Sequence, residues 1–99
     1  MDILEIRQTF LAGNYYLTRH ARARMEEKNI SEYDVIQAVL NGEIIEEYPE
    51  HYQGPCCLIY GTSSNEEPIH VVASTGSPAW VITVYEPDPR EWVDSRTRR

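Results

Sequence analysis

The sequence lacks most of the motifs by which enzymes are commonly identified. It has no glycine-rich phosphate loop, no Gly-x-Ser-x-Gly element and no His-Glu-x-x-His element. These are the motifs that identify P-loop nucleotide-binding proteins, serine hydrolases and zinc proteases, so the sequence gives no indication of any of these classes. Its three histidines and two adjacent cysteines do not have the spacing of metal ligands. We therefore expect neither a metal nor another cofactor.

Long apolar segments are also absent. The longest uncharged apolar stretch, Ala79 to Tyr85, is far too short to cross a bilayer. The segment from Met1 to Glu5 lacks the basic start and apolar core of a signal peptide. We expect a cytoplasmic protein that does not associate with membranes.

Cysteine is scarce, and its placement argues against an ordinary disulfide. Cys56 and Cys57 are adjacent, so their Cα atoms lie about 3.8 Å apart, closer than the roughly 4.4–6.8 Å of a usual disulfide. On a strand the two side chains point to opposite faces. Two small buried hydrophobic residues are the simpler interpretation, and a redox pair is the alternative.

The composition that remains is that of one globular domain, predicted to span 1–99, with 41% hydrophobic and 25% charged residues. The net charge is −7, whereas a nucleic-acid-binding protein usually has a basic surface. Basic residues nevertheless cluster in one short segment and at the C-terminal end: Arg19, Arg22, Arg24 and Lys28, then Arg96, Arg98 and Arg99. A local basic strip on an acidic body is therefore expected.

The order of the predicted elements indicates an α+β fold. Apolar periodicity and capping signals predict helices at about 2–12, 19–29 and 32–41, with Thr18 as an N-cap and a capping box from Ser31 to Asp34. Apolar runs separated by prolines and glycines predict strands at about 43–48, 56–61, 69–74 and 80–85. Tyr15 to Leu17 is a brief extended segment, and 87–99 is an extension or short helix. We expect two to three N-terminal helices on one face of a four-stranded, mainly antiparallel sheet.

The second predicted helix carries the clearest set of candidate functional residues. His20, Arg24 and Lys28 are spaced by four residues and therefore lie on one side of it. At the border between helix and sheet, His20 and Arg24 would be placed to line a cleft. The structural alternatives are a histidine that satisfies a nearby carbonyl and an arginine that pairs with an acid on the sheet.

Two further candidates lie on predicted strands. His70 alternates with Ile69 and Val71 and so shares a face with Val72. It is either a hydrogen-bonded core histidine or an acid or base held by a rigid strand, because burying it unpaired is costly. Tyr85 is either a packing residue or a hydroxyl directed into the same cleft. A catalytic site requires His20, Arg24 and at least one of His70 or Tyr85 to converge on one cleft.

Several segments resemble one known family. They are TRHARARM at 18–25, NIS at 29–31, LNGEII at 40–45, PIHVV at 68–72 and VITVYEPDP at 81–89. Over residues 15 to 92 the chain resembles the family catalogued as domain of unknown function 4258, whose layout is similar to that of RelE-like and MqsR-like toxins. The resemblance implies a RelE-like fold, a bacterial toxin–antitoxin context and an antitoxin partner of zinc-finger or helix-turn-helix type.

Toxins of that layout cleave RNA without a metal, using the ribose 2′-hydroxyl as nucleophile. Such a reaction needs a base, an acid and cations around the phosphate. The resemblance implies that His20 or His70 supplies the acid and base, that Arg24 contacts phosphate, and that Tyr85 orients the reacting groups. RNA binding is expected along Arg19, Arg22 and Lys28. The acidic net charge departs from the pattern, so a non-catalytic protein-binding module is the alternative, followed by a small-molecule enzyme.

Overall fold

Three helices form the first part of the chain, and a side chain caps the start of each. The computed structural model describes residues 1–99 and contains α1 (Ile3–Leu11), α2 (Arg19–Lys28) and α3 (Glu32–Asn41). Oxygens of Asp2, Thr18 and Ser31 accept hydrogen bonds from backbone amides in the first turn of each helix, and Ser31 and Asp34 form the predicted capping box. None of the helices is both long enough and apolar enough to cross a membrane.

The main sheet has five strands rather than the four predicted. They are β1 (Tyr15–Leu17), β2 (Glu43–Tyr48), β3 (Cys56–Thr62), β4 (Pro68–Ser74) and β5 (Ala79–Tyr85), in the order β1-β5-β4-β3-β2. Strands β2 to β5 are antiparallel neighbours, as predicted. The addition is β1, which pairs in parallel with β5 through Tyr15 with Ala79 and Leu17 with Val81. The α+β class is confirmed, and the sheet is mixed.

The helices cover one face of this sheet and enclose the larger apolar core. Ala21 and Met25 of α2 and Val35 and Val39 of α3 pack there against buried strand residues, which include Cys57, Ile59, Ile69, Val71, Val81 and Val84. Helix α3 lies so close to β3 that a Cβ atom added at Gly61 would come within 2.6 Å of the Ala38 Cβ. Glycine at that position is therefore required by the helix–strand approach.

The opposite face, called here the second face, is partly covered by the C-terminal segment. The segment 87–99, expected as an extension or short helix, instead folds into a hairpin of β6 (Trp92–Val93) and β7 (Thr97–Arg98). Asp94 and Ser95 between them adopt positive φ angles of 52° and 62°, as tight hairpin turns require. Trp92, 2% exposed, packs on Cys56, Leu58 and Val72.

Both cysteines are buried and unpaired. Cys57 belongs to the core beneath the helices, whereas Cys56 belongs to the cluster on the second face. Burial raises the pKa of the Cys57 thiol to about 12. The interpretation of the pair as two small buried residues on opposite faces is confirmed.

Candidate active-site groove

Helix α2 is placed against the sheet where the short strand β1 ends. Strand β1 pairs with β5 only as far as Val81, whose carbonyl accepts a hydrogen bond from the Thr18 amide at 3.1 Å. The Thr18 hydroxyl then donates to the Ile82 carbonyl at 2.9 Å. These bonds fix the start of α2 beside the second half of β5, and α2 packs mainly on that strand.

The end of α2 and the segment after β5 enclose a surface groove of about 390 Å³, called here the Tyr85 groove. Its lining residues combine two cations, one phenol and three carboxylates: Arg24, Lys28, Tyr85, Glu86, Asp88 and Glu91. Pro87 and Pro89 flank Asp88 and end the strand, and a turn follows in which the Asp88 carbonyl accepts from the amides of Glu91 and Trp92. Opposite charges face each other across the groove.

Two of the charged groups in this groove are already engaged. Arg24 donates to Glu27, one turn further along the same helix, at 3.1 Å, so the expected alternative of an acid on the sheet is wrong. Asp88 accepts from the Arg90 guanidinium at 2.7 Å and from the Arg90 amide, and these bonds hold the pKa of Asp88 below its usual value. The side chains of Lys28, Glu86 and Glu91 have no hydrogen-bonding or ionic partner, so they are free to contact a ligand.

His70 lies behind this groove, fully buried on the second face. Its Nε2 donates to the Ser95 carbonyl at 2.6 Å, and its Nδ1 lies 3.2 Å from the Tyr85 hydroxyl. Because a carbonyl can only accept, Nε2 carries the proton and the Tyr85 hydroxyl donates to Nδ1. The Trp92 ring packs edge-on against the imidazole at 4.5 Å.

This burial also sets the charge of the imidazole. Desolvation lowers the pKa of His70 below its usual value, although the Ser95 carbonyl and the Glu46 carboxylate oppose that effect. Burial likewise raises the pKa of the Tyr85 phenol. His70 is therefore neutral and has both ring nitrogens occupied, while its partner Tyr85 reaches the groove.

Two arginines fix the hairpin that covers His70 to the sheet. The Arg98 guanidinium stacks over the Trp92 ring at 4.6 Å and its Nε donates to Glu46 at 2.9 Å. Arg96 stacks over the Tyr60 ring and forms an ion pair with Glu43. These two members of the C-terminal basic cluster are thus neutralised by acids of β2.

His20 is exposed and forms no hydrogen bond, so the alternative in which it satisfies a nearby carbonyl is wrong. It lies one helical turn before Arg24 on the same side of α2, but it is not among the residues that line the Tyr85 groove. The predicted convergence is therefore incomplete. The structure brings Arg24 and Tyr85 to one groove and connects His70 to it through Tyr85.

The predicted RNA-binding residues divide between two sides of α2. Arg19, Arg22 and Lys28 are exposed and form no ion pair. Lys28 lines the Tyr85 groove, whereas Arg22 lines a separate groove of about 540 Å³ beside the start of α3. A single continuous strip of cations does not form.

Sequence reasoning missed the acidic side of the site. Glu86, Asp88 and Glu91 line the groove, whereas the Glu-Pro-Asp-Pro run at 86–89 was interpreted as the end of the last strand and as part of the family resemblance, not as a source of site residues. Ser95, whose carbonyl binds His70, carries no sequence signal, because any residue supplies a backbone carbonyl. No group of three or more His, Cys, Asp or Glu side chains is arranged to hold a metal ion.

One comparison with known proteins gives a match. The family model described as Domain of unknown function (DUF4258) matches residues 17–86, more than two thirds of the chain. The matched range contains α2, α3 and strands β2 to β5 and ends before the C-terminal hairpin. No curated protein matches the chain, and no solved structure matches it.

Proposed function

Since the chain belongs to the family described as Domain of unknown function (DUF4258), we propose that it is a metal-independent ribonuclease with a RelE-like arrangement, acting as the toxin of a bacterial toxin–antitoxin pair. The observation that carries this proposal is the composition of the Tyr85 groove. Arg24 and Lys28 lie there opposite the unpartnered carboxylates of Glu86 and Glu91. Cations that hold a phosphate and a carboxylate that accepts a proton are two of the requirements of the reaction.

The reaction proceeds through the ribose of the substrate. The 2′-oxygen forms a bond to phosphorus while the bond from phosphorus to the 5′-oxygen of the next nucleotide breaks. The proton of the 2′-hydroxyl passes to the base, and the departing 5′-oxygen takes a proton from the acid. The products are a 2′,3′-cyclic phosphate and a 5′-hydroxyl.

Each role has a candidate side chain near the groove. We assign the base to Glu86 or Glu91 and the phosphate contacts to Arg24 and Lys28. His20, one turn before Arg24 and exposed, supplies the acid. Tyr85, whose hydroxyl proton is donated to His70, orients the substrate by accepting a hydrogen bond through its hydroxyl oxygen.

His70 has a different role in this proposal from the one implied by the family resemblance. Its two nitrogens are bonded to Tyr85 and Ser95 beneath the hairpin, so it is a positioning residue that fixes the Tyr85 hydroxyl. Positioning of this kind contributes to catalysis because small displacements of a reacting group reduce the rate strongly.

The experiment that tests the proposal is incubation of the protein with a labelled single-stranded RNA in the presence of a chelator. A 2′-O-methyl copy of the same oligonucleotide is the control, since it lacks the nucleophile. Cleavage of the RNA alone supports the proposal. Cleavage of both oligonucleotides, or cleavage abolished by the chelator, contradicts it.

A non-catalytic protein-binding module remains the second candidate, and the charge distribution favours it. Three of the six residues that line the groove are acidic, and the net charge is −7. A basic segment of an antitoxin of zinc-finger or helix-turn-helix type fits such a groove by charge complementarity. Tight binding of the co-expressed antitoxin together with absence of RNA cleavage would favour this candidate.

A further inference from the structure

Two aromatic rings lie side by side on the part of the second face that the hairpin leaves open. Tyr16 of β1 and Trp80 of β5 are direct partners in the sheet, and their ring centroids are 4.9 Å apart. Tyr16 is 55% exposed and Trp80 42% exposed. Burial therefore does not account for either aromatic residue.

This aromatic pair, Tyr16 and Trp80, lies on the same side of the sheet as Tyr85. Trp80 precedes the inward-facing Val81, and Tyr85 follows the inward-facing Val84, so both residues of β5 point to the second face. Trp80 and Ile82 line a shallow cavity of about 310 Å³ together with Thr18 and Gln53. The cavity therefore adjoins the start of α2.

An unpaired cation lies next to this cavity. Arg19 directly follows Thr18 and forms no ion pair, and the exposed side chain of His20 comes next. Along α2, His20 and Arg24 then lead towards the Tyr85 groove. An exposed aromatic pair, the unpaired Arg19 and the groove thus follow one another along β5 and α2.

The exposed surface area of the aromatic pair indicates how large a ligand it can bind. A large aromatic side chain has roughly 150–250 Å² to bury, so two half-exposed rings offer on the order of 200 Å². A stable protein interface needs about 800 Å² from each partner. One or two nucleobases need only the faces of such rings, and each stacked base contributes about 1–3 kcal/mol.

We propose that Tyr16 and Trp80 form a base-stacking platform that holds an unpaired nucleotide of single-stranded RNA beside the groove. This inference rests on the proposed function, because it names the substrate class and a specificity determinant of the same site. Aromatic stacking contributes affinity that does not depend on phosphate charge. It therefore explains how a chain of net charge −7 retains RNA with few cations.

The test is direct binding of a short, fluorophore-labelled 2′-O-methyl oligoribonucleotide, which lacks the nucleophile and stays intact. The anisotropy of the label measures the affinity of the wild type and of every variant. The chain has two tryptophans, and Trp92 is only 2% exposed, so quenching of fluorescence by the oligonucleotide reports on Trp80. We expect Trp80→Ala to weaken binding about 5- to 150-fold, which corresponds to 1–3 kcal/mol at tenfold per 1.36 kcal/mol. Trp80→Phe should retain most of the affinity and lose the quenching.

Tyr33→Ala is the matched control, because Tyr33 is 64% exposed and lies on α3. It should leave the affinity unchanged. If Trp80→Ala does not fold by circular dichroism, Tyr16→Ala provides the same test at the edge strand. Unchanged affinity in Tyr16→Ala, and in Trp80→Ala where it folds, or no binding by the wild type, overturns the platform.

The two proposals fail in different ways. Binding that depends on Trp80 without any cleavage of the matching RNA supports the platform and contradicts the ribonuclease. Cleavage of RNA that Trp80→Ala leaves unchanged in KM overturns the platform and supports the ribonuclease. Loss of antitoxin binding in Trp80→Ala, with oligonucleotide affinity unchanged, overturns the platform in favour of a protein partner.

Discussion

The Tyr85 hydroxyl donates to Nδ1 of His70 at 3.2 Å, and this bond connects a surface groove with the core of the second face. On the outer side Tyr85 lines the groove with Arg24 and Lys28. On the inner side His70 is enclosed by Trp92 and bonded to Ser95. The imidazole of His70 thus connects the C-terminal hairpin with the candidate site.

The first prediction concerns the pH dependence of stability. The folded pKa of His70 is lowered by burial, so its contribution to stability is complete above the unfolded value of about 6.5 and is lost as the pH falls below it. The loss has a limiting slope of about 1.4 kcal/mol per pH unit. Urea unfolding between pH 7.5 and about 5 measures it.

His70→Gln is the matched variant for this measurement. It should unfold more easily at pH 7.5, because a buried network loses partners at about 1–3 kcal/mol each. Its stability should also depend less on pH, since the variant lacks the buried imidazole. An equal pH dependence in variant and wild type would show that another group is responsible.

The second prediction concerns the hairpin. Arg98→Gln removes the ion pair with Glu46 and the stacking on Trp92. We expect a loss of about 1–2 kcal/mol, because exposed ion pairs contribute up to about 1 kcal/mol and cation–π contacts a similar amount. Acrylamide quenching should show increased access to Trp92.

A double-mutant cycle with Glu46→Gln separates the two contributions. The coupling free energy between Glu46→Gln and Arg98→Gln gives the contribution of the ion pair. The rest of the loss in Arg98→Gln is the contribution of the stacking on Trp92. No change in Trp92 quenching in Arg98→Gln, measured with Trp80→Phe as background, would show that Arg98 does not hold the hairpin.

The third prediction concerns the groove cations. Arg24→Gln and Lys28→Gln should each reduce RNA cleavage about 10²-fold, because each removes a donor that stabilises charge on the phosphate. Each should also reduce the salt slope of RNA binding by about 0.7 for a single strand. Arg22→Gln is the control on the opposite side of α2 and should retain cleavage. Equal losses in all three variants would indicate a general charge effect rather than this groove.

The fourth prediction concerns His20 in cells. Induction of the chain alone should arrest the growth of a bacterial host, and His20→Ala should relieve the arrest, since a general acid contributes about 10²–10⁴-fold to the rate. His20 is exposed and unbonded, so the variant should fold normally by circular dichroism. Undiminished toxicity of the folded variant would remove His20 from the mechanism.

The helices and strands that could be predicted from the sequence are those whose defining residues lie close together along the chain. The caps at Thr18 and Ser31 and the apolar stripe of α3 depend on residues within a few positions of each other. Strand β1 and the C-terminal hairpin depend instead on distant partners. Tyr15 pairs with Ala79, and Trp92 packs on Leu58, and strands of three and two residues are too short to show a period.

The candidate site divides in the same way. Helical spacing placed Arg24 one turn after His20. Strand alternation left Tyr85 as either a packing residue or a hydroxyl in the same cleft as His70, and the register that pairs the two residues shows that they are neighbours. For His70, sequence reasoning left two alternatives, one of them a hydrogen-bonded core histidine. Its own strand could not decide between them, because the residues that enclose it, Trp92 and Ser95, come from the hairpin. The carboxylates of the groove lie in a proline-containing turn whose path periodicity does not determine.

Analysis of the RNA ends left after incubation tests the central claim most directly. Attack by the 2′-oxygen must leave a 2′,3′-cyclic phosphate on one fragment and a 5′-hydroxyl on the other, with and without a chelator. We predict these ends for the wild type, and at least 10²-fold fewer of them for Arg24→Gln. Fragments with 5′-phosphate ends, or intact RNA at every protein concentration, would contradict the assignment of the Tyr85 groove as a metal-independent ribonuclease site.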